Sequence, residues 1–224
     1  MGKDGNPTPE AYRFRDKAPD DYKLPDLNPF LRAHRDYGLP VLTAEQAVSQ
    51  KGLWADHFQR DAPLHVEIGC GNGFFIAGRA TQSPECNWLG LEIRFKRVVL
   101  TARKIEKAGV ESIARIARYD AHQIDDLFQK DEIDCVYINH PDPWPKDRHA
   151  KNRLLSVSFF QTIAELLKPG GELRLKTDHL INVEAALEHP ETDKWELLGR
   201  SNDVNGEGAP WSLDIATNYQ QKFL

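Results

Sequence analysis

A short, mostly apolar run at residues 64–68 passes directly into Gly69-Cys70-Gly71-Asn72-Gly73 and then into the apolar opening Phe74, Phe75, Ile76 and Ala77. A strand, a glycine turn and a helix in immediate succession leave few architectures open. The natural one is a parallel sheet with helices on its faces. The glycines let the backbone approach a nucleotide-like ligand, but the pattern is Gly-x-Gly-x-Gly, whereas nicotinamide cofactors favour Gly-x-Gly-x-x-Gly with a pyrophosphate at the helix N-terminus. Glu67 stands two places before Gly69 and suits an ammonium and a sulfonium better than a pyrophosphate. S-adenosylmethionine is therefore favoured over a dinucleotide, with a glycine turn used only for tight packing as the bland alternative.

The rest of the chain repeats the alternation. Further strands are expected at 87–93, 112–117, 133–138, 172–176 and 195–198, and helices from 74, at 94–108 with Gly109 as its stop, and at 124–128, 154–167 and 180–187. Thr43 and Gln46 form a candidate capping box for a short leading helix. Lys168-Pro169-Gly170-Gly171 reads as a turn, 199–216 as a loop and 217–224 as an edge strand. The fold class is thus α/β: a doubly wound, mostly parallel sheet of Rossmann-like type, in one domain spanning 41–224. In such sheets ligands sit beyond the carboxyl ends of the strands. Glu92 lies there, 19 residues after Gly73, at the spacing of an acid that binds a ribose diol. A solvated strand-end carboxylate is its plainer reading. Asp120 either contacts the adenine side of the donor or caps the helix that follows.

Residues 1–40 hold six of the 14 prolines and many charges, too little apolar surface to fold alone, and read as an N-terminal arm. Arg13, Arg15, Lys17, Lys23, Arg32 and Arg35 are interleaved with acids there, so most of it reads as solvated. No apolar run approaches the ~18 residues of a membrane span, and the first residues are polar where a signal peptide is apolar, so the expected setting is cytoplasmic. Cys70, Cys86 and Cys135 are odd in number and unpaired in spacing, which reads as core thiols rather than a disulfide framework or metal site. No metal is expected.

The charge pattern singles out one more stretch. Asn139-His140-Pro141-Asp142-Pro143-Trp144-Pro145 follows the apolar run 133–138, and its alternate prolines exclude helix and central strand, giving a stiff, extended loop. Lys146, Arg148, Lys151 and Arg153 follow against the single acid Asp147, in a chain whose formal charge is −5. Local positive charge of this kind meets phosphate whatever the global sum.

These motifs together resemble the bacterial tRNA (guanine-N7-)-methyltransferases, a family of class I S-adenosylmethionine-dependent enzymes. The resemblance runs from about residue 38 to the end and rests on Glu67 to Gly73, Gly90-Leu91-Glu92-Ile93, Pro-Asp-Pro-Trp-Pro-Lys at 141–146 with Arg148, His149 and Lys151, Leu167 to Gly171, Thr177-Asp178, and Thr217-x-x-Gln220. It implies donor contacts at Glu67, Gly69, Gly71, Gly73, Glu92, Asp120 and Asp142. It implies tRNA contacts at Lys146, Asp178 and Thr217 to Gln220, with Trp144 and Arg148 beside them. Guanine N7 carries a free lone pair and needs no base to deprotonate it, so alignment with the sulfonium methyl is the main task. Asp142 is the expected catalytic residue, stabilising the positive charge that develops on the ring. Asp178 is expected to orient the base. Trp144 either stacks on an extruded guanine or packs the loop.

Two departures from the pattern matter. The family has Glu where this chain has Gln220, and a carboxamide offers guanine one acceptor where a carboxylate offers two. Asn139-His140 is more polar than the apolar or aromatic pair expected before Pro141. These departures leave as alternatives a related methyltransferase acting on another RNA position or a small molecule, and a catalytically inactive tRNA-binding homologue. Monomer and homodimer both stay open.

Overall fold

The computed structural model describes residues 29–191 and 193–222. The first 28 residues of the expected arm, with Arg13, Arg15, Lys17 and Lys23, lie outside them. In chain order the elements are α1 (Pro29–Asp36), β1 (Val41–Leu42), α2 (Ala44–Val48), α3 (Trp54–Phe58), β2 (Leu64–Ile68), α4 (Phe74–Gln82), β3 (Asn87–Glu92), α5 (Phe95–Ala108), β4 (Ala114–Arg118), β5 (Ile133–Asn139), α6 (Val157–Leu166), β6 (Leu167–Lys176) and α7 (Leu180–Glu188). Short 3-10 turns occupy Ala121–Asp126, Asp147–Asn152 and Gln220–Lys222.

All six strands pair in parallel in the order β1-β4-β3-β2-β5-β6. From β2 the chain winds outward through β3 and β4, then returns to place β5 and β6 on the other side. The strand order reverses between β2 and β5, so the loops leaving their carboxyl ends diverge and open a crevice there. Those two loops are the glycine turn and the proline-rich loop.

Strand alternation sorts the core onto the two faces. Val66, Ile68, Leu89, Leu91, Val136 and Ile138 point to one face, where Phe159, Phe160 and Ile163 of α6 cover them. Trp88, Ile116, Cys135 and Tyr137 point to the other, under Phe75, Ile76 and Ala80 of α4 and Val98, Ala102 and Ile105 of α5. Each such buried large side chain contributes about 1.5–3 kcal/mol relative to exposure. The α5 stripe Phe95, Val98, Val99, Ala102, Ile105 has helical spacing, and Gly109 ends the helix in the left-handed region at φ 68°. The three cysteines are buried and free. No helix among the described residues is long and apolar enough to cross a membrane.

Several boundaries differ from expectation for local reasons. Residues 29–37 of the arm dock on α5: His34 is buried with its ring edge-on to Phe95 at 5.2 Å, and Tyr37 donates to Glu106 at 2.9 Å. The helix expected at 124–128 is a 3-10 turn begun earlier, because Asp120 accepts from the His122 amide at 3.0 Å. The α6 helix starts at Val157, capped by the Ser156 hydroxyl on the Phe159 amide. The Lys-Pro-Gly-Gly turn is absorbed into β6 as a register shift opposite Ile133 and Cys135. Residues 195–198 form no strand: Leu197 and Leu198 are adjacent, cannot share one face, and are both exposed, while Trp195 alone packs edge-on to Phe160. The edge strand expected at 217–224 is, over its described residues, a turn and a 3-10 segment.

Candidate active site

The crevice between the β2 and β5 loops is a cavity of about 1380 Å³. Its wall includes Glu67, Gly69, Gly71, Glu92, Asp120, Asp142, Trp144, Asp178 and Thr217. Residues more than 100 positions apart in the sequence therefore meet at one sheet edge.

The three glycines of the turn do different work. All take positive φ, at 73°, 55° and 72° for Gly69, Gly71 and Gly73. A Cβ on Gly73 would sit 2.7 Å from the Thr101 Cα, so this position is reserved for the contact of α4 with α5. At Gly69 a Cβ would meet nothing within 4 Å, and at Gly71 only the Gly69 carbonyl at 3.9 Å. Packing does not account for these two, whose bare backbone faces the cavity. Glu92 ties the turn to β3: one carboxylate oxygen accepts from the Gly71 amide at 3.1 Å and the other from the Ile93 and Arg94 amides at 2.9 Å.

Glu67 lies beneath the turn, 2% exposed. Oε1 accepts from Asn139 Nδ2 at 3.0 Å, and Oε2 is buried with no hydrogen-bond partner. Burial pushes its carboxyl up to about 7, against the lowering pull of Asn139, the Ile76 amide and Lys176. A buried, half-satisfied carboxylate on a cavity wall is costly unless a cation completes it. This orphan oxygen and the open glycine cradle fit the ammonium end of S-adenosylmethionine. Asp120 caps the following 3-10 turn and lines the cavity, with His122 Nδ1 at 2.9 Å from its Oδ1. That hydrogen bond raises the His122 pKa.

The proline-rich loop is pinned at its start and is not uniformly extended. The His140 amide donates to the Lys176 carbonyl at 2.7 Å, and Asn182 Nδ2 donates to the Pro141 carbonyl at 2.9 Å. His140, just before the first proline, and Trp144, between the second and third, take positive φ, 51° and 42°, so the backbone leaves the extended region at each. Asp142 is exposed on the cavity wall. Trp144 lines the same wall, half-exposed, its ring edge-on to His149 at 5.5 Å and its carbonyl held by Arg153 Nε at 3.1 Å. Lys146 and Arg148 are exposed and lie outside the cavity, whereas Lys151 reaches its rim.

Beside the start of this loop, Asp178 accepts from the Tyr219 hydroxyl at 2.8 Å and lies 3.5 Å from His140 Nδ1. Burial opposes its ionisation, but Tyr219, the Asp178 backbone amide and His140 outweigh it and hold the carboxyl below its usual range. Thr217 and Gln220 are both buried and bond reciprocally: the Gln220 amide donates to Thr217 Oγ1 at 3.1 Å, and Gln220 Oε1 accepts from the Thr217 amide at 2.9 Å. The same Oε1 accepts from Lys176 Nζ at 3.1 Å, and Lys176 also bonds both Asp214 oxygens and the Ile215 carbonyl. Gln220 thus lies behind the cavity wall, while Thr217, Asn218 and Tyr219 form it.

Sequence reasoning passed over Lys176 as a site-building residue.

Residues 61–224 match a family model described as "Putative methyltransferase". The tRNA (guanine-N(7)-)-methyltransferase of Bacillus velezensis is 34% identical over 200 residues, covering 89% of this chain and 88% of its own. That of Leuconostoc citreum is 33% identical over 198 residues, 87% and 89% of the two chains, and that of Streptococcus pneumoniae strain 70585 is 35% identical over 184, 82% and 86%. Among solved structures, TrmN from Thermus thermophilus aligns with a TM-score of 0.47 at 20% identity over 73% of this chain and 45% of its own.

Proposed function

The chain belongs to the tRNA (guanine-N(7)-)-methyltransferase family, and on that premise we propose that its cavity aligns S-adenosylmethionine, held by the glycine turn, with N7 of a tRNA guanine held between the proline-rich loop and Asp178. The activity is transfer of the methyl group to that N7. The observation that carries the assignment of residues is the meeting of Glu67, Asp142 and Asp178 on one cavity wall at the strand-order reversal.

When bound, S-adenosylmethionine supplies an electrophilic methyl group on a sulfonium. Glu67 offers its free Oε2 to the donor's ammonium, with Asn139 fixing the carboxylate. Glu92 holds the glycine turn through the Gly71 amide and would take the donor's ribose hydroxyls, and Asp120 would take its adenine side. No side chain needs to remove a proton, because N7 attacks through its own lone pair. What the protein supplies is alignment of N7 with the methyl group and carboxylate charge where the ring becomes cationic, which we assign to Asp142. Lys146 and Arg148, exposed beyond the rim, are placed to meet phosphates flanking the target, and Trp144 stands where the base enters.

The test uses purified protein, methyl-labelled donor and tRNA lacking the modification. Label is expected on a guanine whose N7 methylation makes the strand cleavable by alkali and aniline. Failure to label that tRNA, while an enzyme of known activity labels it, would refute the assignment.

A further inference from the structure

The outward face of α5 carries charge that neither the core nor the cavity chemistry uses. Arg94 at its N-cap and Lys96, Arg97, Arg103, Lys104 and Lys107 within it stand against a single carboxylate, Glu106, in a chain whose formal charge is −5. Phe95, Val98, Ala102 and Ile105 bury the opposite side, so the cations share the outer one, Arg97 and Lys104 half-buried and the rest exposed. Glu106 accepts from the Tyr37 hydroxyl at 2.9 Å, and among the described residues none of the six cations pairs with a carboxylate. Lys96 and Lys104 lie over the Phe30 and Phe74 rings, each at 5.6 Å, and Arg97 bonds Asn72 Oδ1. These contacts seat the side chains without neutralising them.

Helix stability does not explain the pattern. Cations are unfavourable at a helix N-terminus, yet Arg94, Lys96 and Arg97 occupy it with no acid in the first turn. Arg94 and Arg97, Lys104 and Lys107, and Arg103 and Lys107 are like-charged neighbours one turn apart, which destabilises a helix further. The row begins at the cavity, whose wall includes Arg94 and Arg97, and runs about 20 Å along the helix to Lys107.

We propose that this face of α5 is a second track for the tRNA backbone, on an element separate from the segment that carries Lys146 and Arg148. The inference rests on tRNA as the substrate in the reading above, though not on N7 as the methylated atom. Only one nucleotide enters a base pocket, so the strand on either side of it must leave across the surface. A row of unpaired cations starting at the pocket complements a row of phosphates, and each contact releases counterions. Such contacts hold the strand in register and carry no base information.

The experiment uses the full chain, unmodified tRNA and the variant Lys96→Gln, Arg103→Gln, Lys107→Gln, whose three side chains are exposed and do not line the cavity. A control, Lys130→Gln, Lys194→Gln, Arg200→Gln, removes the same charge from exposed positions outside α5. Filter binding across a salt series should show the α5 variant reducing the slope of log affinity against log salt by about 2–2.7, with a roughly tenfold or larger rise in tRNA Kd at low salt. The control should keep a slope near the parent's. S-adenosylhomocysteine affinity and the single-turnover rate at saturating tRNA should stay near the parent's in the α5 variant, which also reports an intact fold. A parental slope in the α5 variant would overturn the track and leave this face to solvent or to an acidic protein. An equal fall in the control would also overturn it, because total charge would then be the cause. A reduced slope with label on another atom of the tRNA would support the track and overturn only the N7 reading. A parent that neither binds nor methylates tRNA would overturn both.

Discussion

Glu67 shows how much one side chain carries. With its carboxyl raised to about 7 by burial, it is largely protonated at pH 6 and ionised at pH 8. A carboxyl raised in this way favours the ligand-free fold at low pH, and that contribution is lost as pH rises from its unfolded value through about 7. A cationic donor prefers the ionised form, so donor affinity should run in the opposite direction. The donor Kd is expected to fall as pH rises from 6 to 8, approaching about tenfold per unit on the acid side, with proton release on binding. Titration calorimetry in buffers of different ionisation heat measures both. Glu67→Gln should remove the pH dependence and the proton release; a slope that survives in this variant would show that another group is responsible. Asp142→Ala should lower kcat by about 100-fold or more with little change in donor affinity, because its charge is needed only as the ring becomes cationic. Gln220 marks the boundary of what could be read at this scale. The motif drew attention to it, but its place behind the cavity wall and the direction of its amide were not legible, since its Oε1 is held by the nearby Thr217 amide together with Lys176 from a distant part of the chain. Gln220→Glu keeps an acceptor for both partners and is expected to leave kcat/KM on guanine within about threefold, whereas Gln220→Leu, which strips both, should destabilise by about 1–3 kcal/mol in thermal or denaturant unfolding.

At the scale of elements, β2 was legible to the residue because a bounded apolar run leads straight into glycine. The 195–198 segment was misread because β propensity was present without a face to bury. The glycine turn was read as a unit, and only the three-dimensional neighbours separate its parts. Gly73→Ala forces a Cβ into Thr101 backbone and is expected to lose stability in unfolding, through strain in both conformation and packing. Gly71→Ala meets no such wall, so its effect should fall on donor affinity, with a smaller loss of stability from its positive φ. Equal losses of stability and of donor affinity in the two variants would contradict this division. A similar logic applies to the segment that carries Thr217 to Tyr219. It forms no ladder with the sheet, and Lys176 holds it through Asp214, the Ile215 carbonyl and Gln220, with Arg79 reaching the Leu213 carbonyl.

For the molecule as a whole, the alternation of strands and helices predicted the layers, and the order of the sheet placed two remote loops on either side of one crevice. The crevice gathers carboxylates, which suits a cationic donor and a base that becomes cationic, yet RNA is a polyanion and the chain carries a formal charge of −5. Both requirements are met if the charges are separated in space. Glu67, Asp120, Asp142 and Asp178 line the cavity, with Arg94 and Arg97 also on its wall, while Lys146 and Arg148 are exposed outside it on the segment after the prolines. Phosphate attraction then acts at the rim, and the interior keeps the negative potential that the chemistry uses. This arrangement predicts a separation in kinetics as well. Replacing both Lys146 and Arg148 by Ala should weaken tRNA binding and reduce the slope of log affinity against log salt by about 1.5–2, as expected for the loss of two phosphate contacts. Donor affinity and the rate at saturating tRNA should stay close to those of the parent, because neither side chain lines the cavity. Filter binding or fluorescence anisotropy across a salt series reads the slope, and single-turnover methylation reads the rate. A slope equal to the parent's would mean that the RNA backbone runs elsewhere on the surface, whatever happens to the affinity at one salt concentration.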